Sequence, residues 1–539
     1  MEVSEQTAYE HLGERALAYL LATDEVAIRT RFAGGSTEKF DQRREEVLAW
    51  LVELDEQMRS WNQPSFPMRN EWSRKLSERH GSVDISLGNY ARQSSGGILP
   101  SVPTILMPLE EALAGLALEC YPEILVKEPK GLFEQVTPIT LYRHPLNVEF
   151  QKIIMQDPDL SRLFPNTDDS NGPHGNTIRS SGQGGSSQLS SFAEVIIMSG
   201  WKLAHVRLER PSIEEHLNAV LENLEIIRSA IRGELVTIPG RLGLVGVLLP
   251  DDIDRIDLGG VLIRRADRRD EQFVDITLLD GQLTTTSPGG DTVVINYSGD
   301  LVVEFEIPYV IRSGSMHLLD EWPAVLRGAQ TLIAELKENI RLGLLLVSPD
   351  RRLNLLPTWQ VNLDPLSQGT SASWSDARQA PALVPTQLTL EQSIEWREWS
   401  MRIETYRIPT IAVAIRRMLA SVAERGTPDD VLVDAVIVWE NLFGGRGETM
   451  LRVTSSLAWL LGASAQDRRA RQNRYKKIYN TRSAVVHGEA NVNQKHLLEH
   501  SAEAVQVSAE ALRAIFGSRT ALLGVPTSDA RSLQILYEG

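Results

Sequence analysis

The stretch "KKIYNTRSAVVHGEAN", Lys476 to Asn491, sets an arginine (Arg482) and a histidine (His487) five residues apart beside valines. Just upstream, Tyr475, Ile478, Arg482, Val485 and Val486 follow three- and four-residue steps, the spacing of one helix face. Arg482 therefore falls on or beside an apolar face, where a guanidinium is costly unless a carboxylate or a bound phosphate meets it. In "VLVDAVIVWENLF", Glu440 stands one turn after Val436, in a similar position. The two are expected to pair, and a structural salt bridge in a helical core is the plainest role for such a pair. His487 lies about 140° further around an ideal helix than Arg482. The two side chains converge if the helix ends or tightens at His487, as Gly488 suggests, or if two copies of the helix meet and form one site jointly. A last helical turn also favours a protonated imidazole.

The surroundings of this helix are electrostatically unusual. The 539-residue chain carries a formal net charge of −16, which over a uniform surface repels nucleic acid. The window Gln466–Arg482 nevertheless holds seven Lys and Arg against one Asp. Arg468, Arg469, Arg471, Arg474, Lys476 and Lys477 form a local basic patch, either a solvated helix face or a track for a polyanion.

Working outward, apolar faces recur in "SIEWREWSMRIETYRIPTIAVAIRRMLASVAE", "PDDVLVDAVIVWENLF", "ETMLRVTSSLAWLLG" and "NQKHLLEHSAEAVQVSAEALRAIFG". Pro428 with Asp429 and Asp430 marks a helix start, and Gly462, Gly488 and Gly517 mark helix ends. Residues 388–520 therefore read as an antiparallel helical bundle, with 521–539 as a C-terminal tail. "LFGGRGETM" lacks the ending of a phosphate loop and reads as a turn between two helices. His496 and His500 stand at i, i+4 without a third ligand, so no metal site is expected.

The rest of the chain reads as further domains, since one core cannot serve this length. Residues 1–164 are mainly helical; Val47, Leu51, Leu54, Met58 and Trp61 make one apolar stripe. A Gly/Ser-rich loop or linker is expected over 165–191. Residues 192–363 read as a mainly β domain with flanking helices: "LVVEFEIPYVI" alternates with period two, and Asp280-Gly281 and Ser298-Gly299 are turn signals. "RLGLLLVSPDRRLNLLPTWQVNL" reads as two strands around Pro349-Asp350, and 364–387 as a second linker. The fold class is thus multidomain α+β, with a helical N-terminal region, a mainly β middle domain and an all-α bundle. The single cysteine, Cys120, leaves no intrachain disulfide and fits a reducing cytoplasm. The N-terminus begins acidic with no basic secretory segment, and the longest apolar run is broken by Pro103 and Pro108, so neither export nor membrane insertion is expected.

"IYNTRSAVVHGE" resembles the R-x4-H motif of the HEPN superfamily, and more closely the RS-x3-HG form of the Apea-like HEPN domains. "PDDVLVDAVIVWENLF", "ETMLRVTSSLAWLLG" and "DRRARQNRYKKIYNTRS" are similar to the family's preceding segments in order and spacing. The resemblance covers roughly residues 390–520 and leaves the N-terminal two-thirds unassigned. It implies an all-α bundle that dimerises, or forms a higher homo-oligomer, with motif helices facing one another. It also implies a metal-independent endoribonuclease without cofactor, in which Arg482, His487, Glu440, Ser483 and Asn480 serve RNA cleavage. Many active members carry Asn, Asp or His after the motif arginine, where this chain has Ser483, the usual residue of the Apea-like group. The family further implies a cytoplasmic toxic effector of bacterial defence against phage, acting by abortive infection. The N-terminal region would then sense a phage or cellular trigger or regulate the nuclease. The rival expectation is a non-catalytic scaffold whose bundle only dimerises or binds a partner.

Overall fold

The computed structural model describes residues 3–32, 39–61, 68–80, 85–102, 106–126, 141, 144–164, 176–179, 184–187, 189–271, 282–286, 292–296, 299–309, 311–313, 324–348, 354–366, 371–374, 386–488 and 493–538. The first helices are α1 (Val3–Leu12), α2 (Glu14–Leu20), α3 (Glu25–Phe32), α4 (Gln42–Trp61), α5 (Met68–Ser77), α6 (Leu87–Ser94), α7 (Pro108–Ile124), α8 (Pro145–Gln156), α9 (Phe192–Arg207) and α10 (Ile213–Arg232). Their apolar faces close on one core holding Leu17, Trp72, Leu113, Phe150 and Ile196. The predicted stripe of α4 faces it, with Val47, Leu51 and Met58 buried. Trp72 Nε1 donates to the fully buried Asp55 Oδ1 at 2.9 Å, so the indole brings its own polar end into the core satisfied. The sequence division at residue 192 is not a division in the packing. α9 is buried on almost every side, from Phe192 through Val206, and a helix apolar all round must lie inside a core. It and α10 complete the N-terminal helical core, and their ends also flank the sheet, Val206 against Val302 and Trp359 and Ala230 against the core of β3 and β9.

The strands are β1 (Asn176–Arg179), β2 (Gly184–Ser187), β3 (Val236–Val245), β4 (Val247–Leu248), β5 (Arg255–Asp257), β6 (Leu262–Arg265), β7 (Gln282–Thr286), β8 (Thr292–Asn296), β9 (Leu301–Tyr309), β10 (Arg312–Ser313), β11 (Leu356–Asn362), β12 (Ser371–Trp374) and β13 (Thr386–Gln387). Six form an antiparallel sheet in the order β12-β11-β3-β9-β6-β5. β3 and β9 pair along their lengths, with Ile238 opposite Ile307 and Leu242 opposite Val303. The alternation predicted for β9 holds: Val303, Phe305, Ile307 and Tyr309 are buried. Its other face is covered by ion pairs, because Glu304 meets Arg264 at 2.8 Å and Arg241 at 3.3 Å. Both expected linkers contribute strands. β1 and β2 pair within 165–191, and β12 within 364–387 extends the sheet through Trp359 opposite Trp374. Gly299 takes φ +88 at its predicted turn. Asp280-Gly281, Pro349-Asp350 and the remainder of both linkers lie outside the described residues.

"RLGLLLV" is helical, correcting the strand expected there. It ends α12 (Ala324–Val347), which follows the one-turn α11 (Arg268–Glu271). The run is apolar on all sides because α12 lies between two cores. Ile340, Leu344 and Val347 meet the sheet; Leu342, Leu345 and Leu346 meet the bundle. A short continuous apolar run does not distinguish a buried strand from a helix buried on both sides.

The bundle comprises α13 (Leu390–Tyr406), α14 (Ala412–Ala423), α15 (Pro428–Phe443), α16 (Thr449–Leu461), α17 (Ala465–Val486), α18 (Gln494–Gly517) and α19 (Ser528–Glu538). Pro428 opens α15 behind the N-cap Thr427, whose hydroxyl accepts from the Asp430 N–H at 3.3 Å. The segment expected as a tail is α19. Its Arg531 is 1% exposed and donates to the carbonyls of Asn441 and Leu442 at 2.9 and 3.0 Å. A guanidinium thus satisfies carbonyls that the end of α15 leaves unbonded, and α19 is locked to the bundle. Trp439 and Trp396 sit fully buried, with Trp396 Nε1 donating to the α12 carbonyl of Ile340 at 2.9 Å.

Gly343 marks where α12 crosses α13. A Cβ there would lie 3.0 Å from the Ser400 backbone and inside contact range of its hydroxyl. In an open helix Gly→Ala adds about 1 kcal/mol of stability. Here Gly343→Ala is expected to lose about 2 kcal/mol, read as a lower denaturant midpoint, because overpacking a close crossing outweighs propensity. A raised midpoint would refute the tight crossing.

Candidate functional site

α17 is a long polar helix that buries only Tyr475 and Ile478 fully. It starts at Ser464, whose hydroxyl accepts from the Asp467 N–H at 3.2 Å, and runs α-helically to Val486. The His487 N–H still reaches the Ser483 carbonyl at 3.0 Å, so His487 caps the helix rather than starting a new direction. Tightening comes one residue later, where the Gly488 N–H bonds the Val485 carbonyl at 3.1 Å and Gly488 takes φ +69.

Arg482 points towards α15. Its Nη2 donates to Glu440 Oε2 at 3.3 Å, and both side chains are partly exposed, at 20% and 25%. Glu440 Oε1 accepts from the Tyr479 hydroxyl at 2.5 Å, and the Arg482 guanidinium lies 5.9 Å from the Tyr479 ring centre. Burial, and then the bond to Glu440, raises the Tyr479 hydroxyl's pKa and keeps it a donor. Glu440 thus holds Tyr479 and Arg482 together. Arg482 Nη1 has no partner among the described residues, and Nε is buried without one. Such a guanidinium, anchored on one side with donors left over, suits a phosphate oxygen. Tyr479 was missed in the sequence although the three-residue spacing to Arg482 places it on the same face.

His487 is exposed, and its imidazole has no hydrogen-bond partner among the described residues. Helix geometry puts it about 140° around α17 from Arg482 and about 7.5 Å along the axis. The structure therefore joins Arg482 to Glu440 and leaves His487 on another face. That second face is coherent. Arg469, Lys476, Asn480, Ser483 and His487 are separated by seven, four, three and four residues and fall within about 60° of one another. Arg469, Asn480 and His487 are exposed, and Lys476 and Ser483 are half-buried. The stripe runs about 27 Å and ends at the imidazole.

Half of the basic run is committed elsewhere. Arg468 lies over the Trp459 ring at 3.7 Å and donates to the Gly462 carbonyl. Arg471 pairs with Asp467 at 3.1 Å and bonds the Tyr475 hydroxyl. Arg474 pairs with Glu503 of α18. Arg469, Lys476 and Lys477 make no such pair among the described residues, so they are the cations of this run open to a polyanion. Sequence spacing alone does not separate the two groups.

A further histidine joins α17 to α18. The Thr481 hydroxyl donates to the Lys477 carbonyl at 3.1 Å and meets His500 Nδ1 at 2.7 Å, so Nδ1 carries the hydrogen of that second contact. Burial lowers the His500 pKa, with Arg474 adding to the effect. The His496 and His500 rings stack 6.1 Å apart. "LFGGRGETM" forms the α15–α16 connection, with Gly447 and Glu448 in left-handed conformations. No helix among the described residues is long and apolar enough to cross a membrane. The chain matches no protein-family model, no curated protein and no solved structure.

Proposed function

We propose that the bundle is a metal-independent endoribonuclease of the HEPN type, acting as the toxic effector of a bacterial anti-phage protein. The observation that carries this reading is an exposed imidazole without a partner among the described residues, at the end of a stripe of uncommitted cations on the helix that also carries a carboxylate-anchored Arg482. RNA supplies its own nucleophile. An imidazole takes the 2′-OH proton, O2′ bonds to phosphorus, and the P–O5′ bond breaks as an imidazolium protonates O5′. The products are a 2′,3′-cyclic phosphate and a 5′-hydroxyl. Arg482 neutralises the developing charge on phosphorus, and Glu440 and Tyr479 position it. Arg469, Lys476 and Lys477 carry the flanking backbone, with Asn480 and Ser483 within reach of ribose or phosphate.

Because Arg482 and His487 diverge on one helix, the site is read as composite. Two copies face each other through α17, and the second imidazole divides the acid and base roles with the first. The rival reading, a scaffold, draws on the same Arg482–Glu440 pair taken as a structural bridge on the packed side. Incubating the purified chain with mixed RNAs in excess EDTA separates them. Cleavage that persists in chelator and leaves 2′,3′-cyclic ends is expected; intact RNA, or cleavage lost in chelator, would dismiss the nuclease.

A further inference from the structure

A cavity of about 420 Å³ lies far from α17 in sequence, where α1–α3, the end of α7, α9 and α11 come together. Its walls carry Arg15, Arg210, Arg268 and Arg269 against Glu14, Glu25 and Glu209, a positive excess in a chain of net charge −16. Most of these charges are answered internally. Glu14 accepts from Arg29 at 2.9 Å, Glu25 pairs with Arg210, and Arg269 grips Asp267. Arg15 is pinned on several sides. Nη2 donates to the Pro211 carbonyl at 3.1 Å, Nη1 reaches His205 Nε2 at 3.4 Å, and the guanidinium lies 5.2 Å from the Trp201 ring centre. His205 Nδ1 lies 3.0 Å from the Trp201 carbonyl and so carries the ring's hydrogen, which leaves Nε2 to accept from Arg15. Arg15 is therefore a preset cation, not a mobile one. Arg268 is exposed and has no partner among the described residues.

These facts select a ligand class. Glu14 and Glu25 already have guanidiniums, the exposed Glu209 and Arg268 have no partner among the described residues, and the four arginines outnumber the three glutamates, so the walls as a whole favour an anionic ligand. Arg15, Arg210 and Arg268 approach from three different elements. A planar carboxylate is satisfied by one bidentate guanidinium, but a tetrahedral phosphate offers oxygens in three directions. The volume exceeds what a bare phosphate fills, and Ile124, Leu125 and Val126 give one wall an apolar character.

We propose that this cavity binds a small organic phosphate, with the phosphate held by Arg268, Arg15 and Arg210 and the organic part against the 124–126 wall. Arg264 of β6 makes two 2.8 Å bonds to Asp270 of α11, so a ligand on Arg268 would tie the helical core to the sheet. The proposal does not depend on the nuclease reading.

Calorimetric titration of the full chain with inorganic phosphate, glycerol 3-phosphate and adenosine 5′-monophosphate tests it. At least one monoester is expected to bind below about 1 mM, roughly tenfold or more tighter than inorganic phosphate. At saturation it should raise the unfolding temperature by about 2 °C. Arg268→Ala, at an exposed position, should weaken that binding at least about tenfold while leaving unliganded unfolding unchanged. Three results would each overturn the proposal: no probe binding below about 1 mM, inorganic phosphate binding as tightly as the monoesters, or Arg268→Ala binding like the parent.

Discussion

His487→Ala is expected to lower RNA cleavage by about a thousandfold, the range a single positioned acid or base supplies. Its unfolding temperature should stay within about 1 °C of the parent, because an exposed imidazole without a partner among the described residues contributes little to stability. Arg482→Lys should cost about a hundredfold, since an ammonium keeps the charge but loses the fork that lets one edge hold Glu440 while the other meets phosphate. Glu440→Gln should cost less than either, because the amide oxygen can still accept from Tyr479 or Arg482. The Arg482–Glu440 pair is partly exposed, so its loss should change stability by no more than about 1 kcal/mol. Cleavage that survives His487→Ala would move the chemistry off α17 altogether. Mixing His487→Ala and Arg482→Ala chains asks how the two groups combine. If one copy's arginine serves the other copy's histidine, about a quarter of the activity should return. If each site needs both histidines, the mixture should stay inactive.

What could be read in the sequence followed the strength of the local pattern. The Arg482–Glu440 pairing was legible because both residues interrupt an otherwise apolar face, and a half-buried charge needs a partner. The β9 alternation was legible because one face of the strand holds only apolar side chains. The end of α12 was not, since Leu342 and Leu344 serve different cores and erase any period. α19 does not read as a helix of the bundle because its anchors are scattered: the buried Arg531, Ser532 bonded to Ser456, and Ile535, with no apolar run among them. The division of the basic helix into committed and open cations also escaped. It depends on Trp459, Glu503 and the Gly462 carbonyl, which approach from other elements. The cavity at Arg15 was invisible for the same reason: residues from 9 to 269 meet there, and none forms a motif along the chain.

The N-terminal core should be most stable near pH 6.5 and weaken on both sides. Burial, with Glu194 adding to it, raises the Glu123 pKa from 4.5 to about 8. A carboxyl that holds its proton more tightly when folded favours the folded state fully below pH 4.5, and that advantage is lost as pH climbs to about 8. The gap corresponds to roughly 5 kcal/mol. His216 and His205 act in the opposite sense. Burial lowers His216 from 6.5 to about 3, with His205 adding to it, and lowers His205 to about 4, helped by Arg15. Their neutral rings are fully compatible with the fold above pH 6.5 and oppose it as pH falls towards 3, by roughly 5 and 3 kcal/mol. Of these three groups, the two imidazoles outweigh the carboxyl below pH 6.5 and the carboxyl alone still titrates above it, so their combined contribution peaks where the unfolded histidines titrate. Glu123→Gln keeps the shape and removes the charge. It should abolish the alkaline decline, so that the variant exceeds the parent at pH 8.5 by several kcal/mol in denaturant unfolding and matches it near pH 4.5. His216 is fully buried against Trp201 and Tyr121, and neither ring nitrogen has a hydrogen-bond partner among the described residues. His216→Phe should therefore flatten the acid limb alone. A parent curve that is level from pH 5 to 8.5, or a Glu123→Gln chain that declines with it, would mean that these groups reach water in the folded protein and that the core is not as closed as its packing implies.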